Sequence, residues 1–324
     1  MASLSTFDAF KHLYNAGGYH ELSDADLEGL QAVLTDMMHD IHEVCKRRSV
    51  AYVLLAGSCL GAVRHKGFIP WDDDLDIGMT HADFDRFRSV FDEELGKKYT
   101  LQTPMETKDY GLTFARVRRR GTTLKCRDDL RATGECGVYI DLFIWESVPD
   151  NKILRALHGL GSFAIGFGYS CRRFAWFGEL YQSMAAGNEG LARVFKIKNS
   201  IGQALSFASL DAWTHAWYLW NSLVKSQKTK YVCLPSGRRK YFGEMFERSM
   251  LYPPVEAEFG DYSFSIPRDP DGYLRLMYGD DYMTPPPVEL QEKHIVVEFD
   301  LGNAVNECAS LPEGKADALR SANG

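Results

Sequence analysis

Acidic residues carry the chemistry that can be read first. Asp72, Asp74 and Asp76 stand at alternate positions downstream of a Gly57-Ser58 turn, and a further acid, Asp141, is set between Ile140 and Leu142. Alternate residues of an extended segment share a face, so Asp74 and Asp76 can hold one divalent cation while Leu75 and Ile77 point into the core. Asp141, from a neighbouring strand, completes a hard-oxygen set with room for water and phosphate oxygens, the coordination that Mg²⁺ prefers. Such a site neutralises the phosphates of a nucleotide donor and, with a second ion, activates an acceptor hydroxyl for in-line attack. At Gly57-Ser58, backbone N–H groups and the Ser58 hydroxyl can approach a phosphate where a helix dipole favours anions. Arg64, His65 and Lys66 follow as countercharges to the donor.

Simpler explanations compete. An isolated Asp-x-Asp is usually solvated. Asp72, Asp74, Asp76 and Asp83 also fall at positions 1, 3, 5 and 12 of a calcium loop, but Ile77 stands where that loop needs glycine, and Ile69-Pro70-Trp71 gives no helix signal before it. His39, His42 and Glu43 lack the H-E-x-x-H order of a zinc site and read as a solvated helix face. The chain has no phosphate-binding G-x-x-x-x-G-K-[ST] loop and no G-x-S-x-G elbow. The glycines at 159, 161, 166 and 168 do not follow a strand, so they are expected to admit close helix packing.

The elements that must position these groups follow from periodicity. Leu27, Leu30, Leu34, Met37, Met38, Ile41 and Val44 recur at helical spacing behind a Ser23/Asp24 cap, predicting a helix over 24–48. Residues 51–55 form a short apolar run ending at Gly57-Ser58, the mark of a buried strand, with a short helix over 58–65. Phe84, Phe87, Val90, Phe91 and Leu95 predict a helix over 81–95, and strands are expected at 112–117, 122–126 and 137–145. From 151 to about 228 the pattern is helical, then come small strands, a helical turn at 270–278 and the turn-rich TPPPVEL.

The 324 residues carry a net charge of −7, with 45% apolar and 25% charged residues, as in a folded globular protein. No stretch reaches the roughly 20 apolar residues of a membrane span, and the start has no signal-peptide pattern, so a cytoplasmic location is expected. Seven scattered cysteines without a C-x-x-C pair read as reduced structural thiols. The acidic total argues against nucleic-acid binding, yet it is unevenly distributed. Residues 151–230 hold ten basic side chains against three acidic ones and four of the six tryptophans, a net +7 that leaves −14 on the rest. That segment reads either as packed helices with solvated Lys and Arg or as a face for an anionic or lipid-linked acceptor at a membrane surface.

The stretch 54–79, LLAGSCLGAVRHKGFIPWDDDLDIGM, resembles the signature of the LicD family, which includes bacterial phosphocholine transferases and is related to fukutin and fukutin-related protein. YIDLFIW, FSIPRDPDGYLRLMYGDDYMTPPP and His294 also match its pattern; Cys59 replaces the usual leucine. The resemblance implies a nucleotidyltransferase-like α/β core, a mixed sheet flanked by helices, here with a helical insertion. It implies transfer of a phospho-alcohol from a CDP-activated donor to a sugar hydroxyl with release of CMP, with Mg²⁺ or Mn²⁺ as cofactor. Carried over by position, Asp74, Asp76 and Asp141 are the metal-binding acids, Asp141 also the candidate base, Asp72 a further motif acid, and Gly57, Ser58 and Arg64 suit the donor phosphates. In the late block, Asp271, Tyr278, Gly279 and Asp280 are structural or line the donor pocket, with Tyr278 read as core first.

The expected organisation is an N-terminal helical segment (1–50), a catalytic core (51–150), a basic aromatic helical insertion (151–230), a part completing the core (231–312) and a flexible tail (313–324). A nucleotidyltransferase acting on a small molecule and a non-catalytic glycan- or nucleotide-binding module are the alternatives. Clustered carboxylates speak against the latter, since they repel one another without a cation.

Overall fold

In this computed structural model, residues 22–132, 134–178, 181, 189–287, 291 and 296–309 are described. His294 and the tail 313–324 lie outside them. Helix α1 (Asp24–Arg48) forms as its periodicity predicts. Ser23 caps it in a reciprocal box with Asp26, and Leu30, Leu34, Met37, Met38, Ile41 and Val44 are buried. Next come β1 (Tyr52–Leu54), α2 (Ala56–His65), β2 (Asp76–Thr80) and α3 (His81–Glu94), which buries Phe84, Phe87 and Phe91. Strands β3 (Tyr99–Gln102), β4 (Ala115–Arg119), β5 (Thr123–Cys126) and β6 (Tyr139–Ser147) follow. β3 was not anticipated, and β4 lies toward the C-terminal side of the expected 112–117.

The main sheet runs β1-β2-β6-β4-β3, with β7 (Tyr231–Cys233) added to the far end of β6 and β8 (Met245–Glu247) to β7. β2 and β6 are parallel; the other pairs are antiparallel. α1 and α3 contact each other and both lie on β6, while β9 (Val255–Phe259) and β10 (Tyr262–Ile266) form a hairpin against α2 and β1. This is the expected mixed α/β fold of the nucleotidyltransferase type. The hairpin corrects one expectation: His42 bonds the Tyr52 hydroxyl (2.8 Å) and His39 packs on Tyr262, so neither belongs to a solvated face. All seven cysteines are free thiols, and burial pushes Cys59 up to about 12.

Next in the chain come the helices α4 (Lys152–Phe177), α5 (Glu189–Ala204) and α6 (Leu210–Asn221), with α4 packed on both others. The glycines act as expected. A Cβ on Gly161 would lie 2.1 Å from the Trp220 ring and one on Gly168 2.6 Å from Trp213. The segment's positive charge is only partly a surface property. Arg173 pairs with Asp128 (2.7 Å), Arg172 donates to the Ala208 and Gly202 carbonyls, and Lys198 is buried with Nζ on Ser170 Oγ. Helix α7 (Pro270–Tyr278) contacts α2, β11 (Val296–Asp300) pairs with β5, and α8 (Ala304–Ala309) packs on α1.

Candidate active site

Strand register places the central charges. Asp76 of β2 stands opposite Asp141 of β6, and Asp141 stands opposite Arg116 of β4. Adjacent strands are about 4.8 Å apart and paired residues share a face, so these three side chains form one row. Arg116 Nε donates to Asp141 Oδ1 (2.7 Å), Nη2 to Asp141 Oδ2 (3.3 Å) and Nη1 to Asp129 Oδ1 (3.3 Å). The guanidinium also lies 3.8 Å from the Tyr139 ring centroid. Burial opposes its charge, but Asp141, Tyr139 and Asp129 outweigh that and hold its pKa well above the ordinary value. Sequence reasoning missed Arg116; its position opposite an apolar-flanked acid shows only once the strands are in register.

The acid loop enters this row from one side. β2 starts at Asp76, so Asp74 sits in the preceding loop rather than on the strand, because Ile69-Pro70-Trp71 has just turned the chain. The alternation survives nonetheless, with Leu75 and Ile77 fully buried and Asp74 and Asp76 partly exposed. The loop is stitched down by the Asp141 N–H donating to Leu75 O (3.1 Å) and by Gln31 Nε2 donating to Asp72 O (2.8 Å). Carboxylate oxygens of Asp72, Asp73 and Asp74 lie within 4.8 Å of one another. Of the expected ligands, Asp74 therefore joins Asp72 and the unanticipated Asp73, while Asp76 and Asp141 meet in the strand row. Clustered hard oxygen donors fit Mg²⁺ or Mn²⁺.

Gly57 and Ser58, expected in a turn leading into the helix, instead form the first turn of α2, where they support the acids at close range. A Cβ at Gly57 would stand 2.9 Å from Asp72 Oδ2, so the lack of a side chain lets the start of α2 meet that carboxylate. Buried Ser58 accepts the Asp76 N–H on Oγ at 2.8 Å. Arg64 donates from Nη1 to the Tyr282 carbonyl (2.8 Å); burial lowers its pKa, opposed by Tyr278 and Asp72. Lys66 is turned onto the hairpin, where Nζ bonds Glu258 at 2.9 Å.

Tyr278 departs from its expected core role. The residue is 43% exposed at the end of α7, and its phenol is pushed upward by desolvation and by the Asp72, Asp76 and Asp74 carboxylates. In the same block Arg275 binds Asp271 (2.8 Å) and Asp280 (3.0 Å), so these two acids brace the end of α7.

A mixed sheet bearing an acid loop and a strand-borne acid, with a glycine-serine turn beneath them, defines a nucleotidyltransferase-type domain. Residues 49–151 match the family described as LicD/FKTN/FKRP, nucleotidyltransferase domain. It is 33% identical over 131 residues to "Lipopolysaccharide cholinephosphotransferase LicD" of Haemophilus influenzae, covering 39% of this chain and 47% of that protein. Uncharacterized proteins of Rickettsia typhi (41% identical, 22% of this chain and 25% of the relative) and Rickettsia prowazekii (43%, 21% and 26%) match shorter stretches. The chain spans under half the length of each of these curated relatives.

Proposed function

We propose that this protein moves a phospho-alcohol, phosphocholine or a close analogue, from a CDP-activated donor to a hydroxyl of a cell-surface glycan or its lipid-linked precursor. The observation that carries the reading is the acid loop 72–76 standing beside Asp141 within the family-matched region. The cholinephosphotransferase activity in the name of the Haemophilus relative supports the choline and lipopolysaccharide classes.

In the proposed step the acceptor oxygen forms a bond to the phosphorus that carries the alcohol. The bond from that phosphorus to the CMP oxygen breaks, CMP leaves with the electron pair, and the hydroxyl proton passes to a carboxylate. Asp141 is the candidate acceptor of that proton. Arg116 donates to both of its oxygens and orients the group. Asp72, Asp73 and Asp74 of the loop cluster, with Asp76 and Asp141 of the adjoining strand row, would hold the divalent cation, which would supply charge neutralisation for the donor phosphates. Gly57 and Ser58 keep these acids in place, and the α2 N-terminus adds a field that favours the phosphates. Arg64 fits a supporting role beside Asp72 and Tyr278.

The test is CMP release from CDP-choline with lipopolysaccharide as acceptor and Mg²⁺ present. Asp74→Asn is expected to lower turnover by about two to three orders of magnitude, the scale of losing one preorganised electrostatic group, with an unchanged melting midpoint. Near-normal turnover in that variant rejects the assignment, and pyrophosphate release from a nucleoside triphosphate would move the protein to nucleotidyl transfer.

A further inference from the structure

Helix α4 is built inside out over its first 17 residues (152–168). The inward side of that part carries small and polar residues, His158, Gly159, Ser162 and Gly168, all buried. Its outward side presents Ile153 (72% exposed), Leu157 (58%), Leu160 (62%), Phe163 (44%) and Phe167 (45%). Positions 153, 157, 160 and 167, with Ala164 between the last two, recur at the spacing of a single helix face. The physical cause is visible in the packing: the inward glycines receive Trp rings from α6 and the Phe242 ring, so over 153–168 the interior is filled without large side chains from α4, which buries Phe174 and Phe177 only in its last two turns. Between Arg155 and Arg172 the helix has no Asp, Glu, Lys or Arg. The apolar stripe runs about 21 Å at 1.5 Å per residue.

Neighbouring elements carry further exposed apolar and basic residues. Trp220 lies over Gly161, so α6 runs alongside α4, and its outward Leu219 (55% exposed) is followed one turn later by Leu223 (59%). The Lys230 N–H donates to Asp150 Oδ1 (2.8 Å), which brings the loop carrying exposed Lys225 and Lys228 to the start of α4, where Lys152 is also exposed. An apolar stripe of Ile, Leu and Phe with lysines gathered at one end matches the layered chemistry of a bilayer surface, acyl chains beneath anionic headgroups. No helix among the described residues is long and apolar enough to cross a membrane. An exposed apolar face of this extent marks an interaction site.

We infer that the outward face of α4 and the end of α6 form an interfacial membrane-docking surface, which lies flat on an anionic lipid leaflet with the lysine end in the headgroup layer. The inference is independent of the transfer chemistry, and its test needs no turnover. The full chain is floated with vesicles of phosphatidylcholine alone and with vesicles containing 30% phosphatidylglycerol, a probe composition of about one anionic lipid in three. The expected result is at least about tenfold stronger binding to the anionic vesicles, reduced by salt. Leu157→Asp/Leu160→Asp is expected to abolish flotation while far-ultraviolet circular dichroism and the melting midpoint stay those of the parent. Lys225→Gln/Lys228→Gln is expected to remove most of the preference for anionic lipid. Equal binding to both vesicles, binding to neither, or flotation that survives the leucine substitutions overturns the proposal. So does a stable dimer by light scattering that those substitutions dissociate, which would give the face to a second copy of the chain.

Discussion

The sheet and the helical layer solve opposite problems with opposite materials. In the sheet, charge is placed inside: Arg116, Arg118 and Arg119 of β4 are each 3% exposed or less, and their guanidinium groups reach Asp141, Asp129 and Asp36. In the helical layer, apolar surface is placed outside, and α4 meets its neighbours through glycines and aromatic rings. The difference teaches that the two regions hold their shape by different terms. Around the acids, paired charges fix orientation, and the gain is positional accuracy more than stability. In the helices, ring-against-glycine contact fixes the layer and leaves a free face.

The largest expected effect strikes the charged row. Arg116→Ala leaves buried Asp141 without the guanidinium that bonds both its oxygens, while Asp129 keeps Arg118, and the loss from breaking such a buried pair is about 3–5 kcal/mol. Chemical denaturation should show this as a lower midpoint at unchanged slope. Arg116→Lys should recover part of it, since one ammonium cannot bond Asp141 through two atoms. A loss below about 1 kcal/mol for the alanine variant would mean that the row behaves like surface charge and that the contrast between the regions is false.

The helical layer should answer a different substitution. Gly161→Ala puts a methyl group 2.1 Å from the Trp220 ring, so that ring has to move. Overpacking of this kind costs about 1–3 kcal/mol. Because Gly161 lies far along the chain from the acid loop and on another layer, CMP release with a soluble acceptor should stay at the parental level. Thermal melting and the turnover assay, run on the same preparation, check both halves of the expectation. A variant as stable as the parent would show that the glycines are not what sets the distance between α4 and α6.

These two regions also differ in how far the sequence discloses them. The α1 stripe and its Ser23 cap, the β1 run into Gly57-Ser58 and the alternation of Asp74 and Asp76 with Leu75 and Ile77 are local patterns, and local patterns read directly. ARVRR at 115–119 overlaps the strand expected at 112–117, but nothing local says that all five of its residues are buried. Their acidic partners Asp36, Asp129, Asp141 and Glu307 are scattered along the chain, and only the fold collects them. Tyr278 is hidden for the same reason: its place near the acid loop depends on α7 returning to α2 some 200 residues later in the chain. The apolar face of α4 is legible as periodicity, but periodicity does not say which side faces inward. The Trp rings seated in its glycines decide that.

The smallest expected effect lies at the seam between the two regions. His81, the first residue of α3, bonds Glu146 of β6 through Nδ1 (3.1 Å) and sets its ring 5.6 Å from that of Tyr218 on α6. The hydrogen bond to Glu146 raises its pKa above the ordinary 6.5, against the opposing effect of burial, and Glu146 and Asp85 add to the rise. A group whose pKa is higher in the folded state binds its proton more tightly there, so the protonated pair stabilises the fold. The contribution is complete below the unfolded value of 6.5 and fades as the pH climbs through the folded value. His81→Asn should therefore lower the melting midpoint more at pH 5.5 than at pH 8.5, by a difference on the order of a few degrees at most. If the midpoint gap between parent and variant is the same at both pH values, the seam is held by ring packing on Tyr218 alone. The helical layer's apolar mode of assembly would then extend to the edge of the sheet, and charge pairing would begin only at the next row inward.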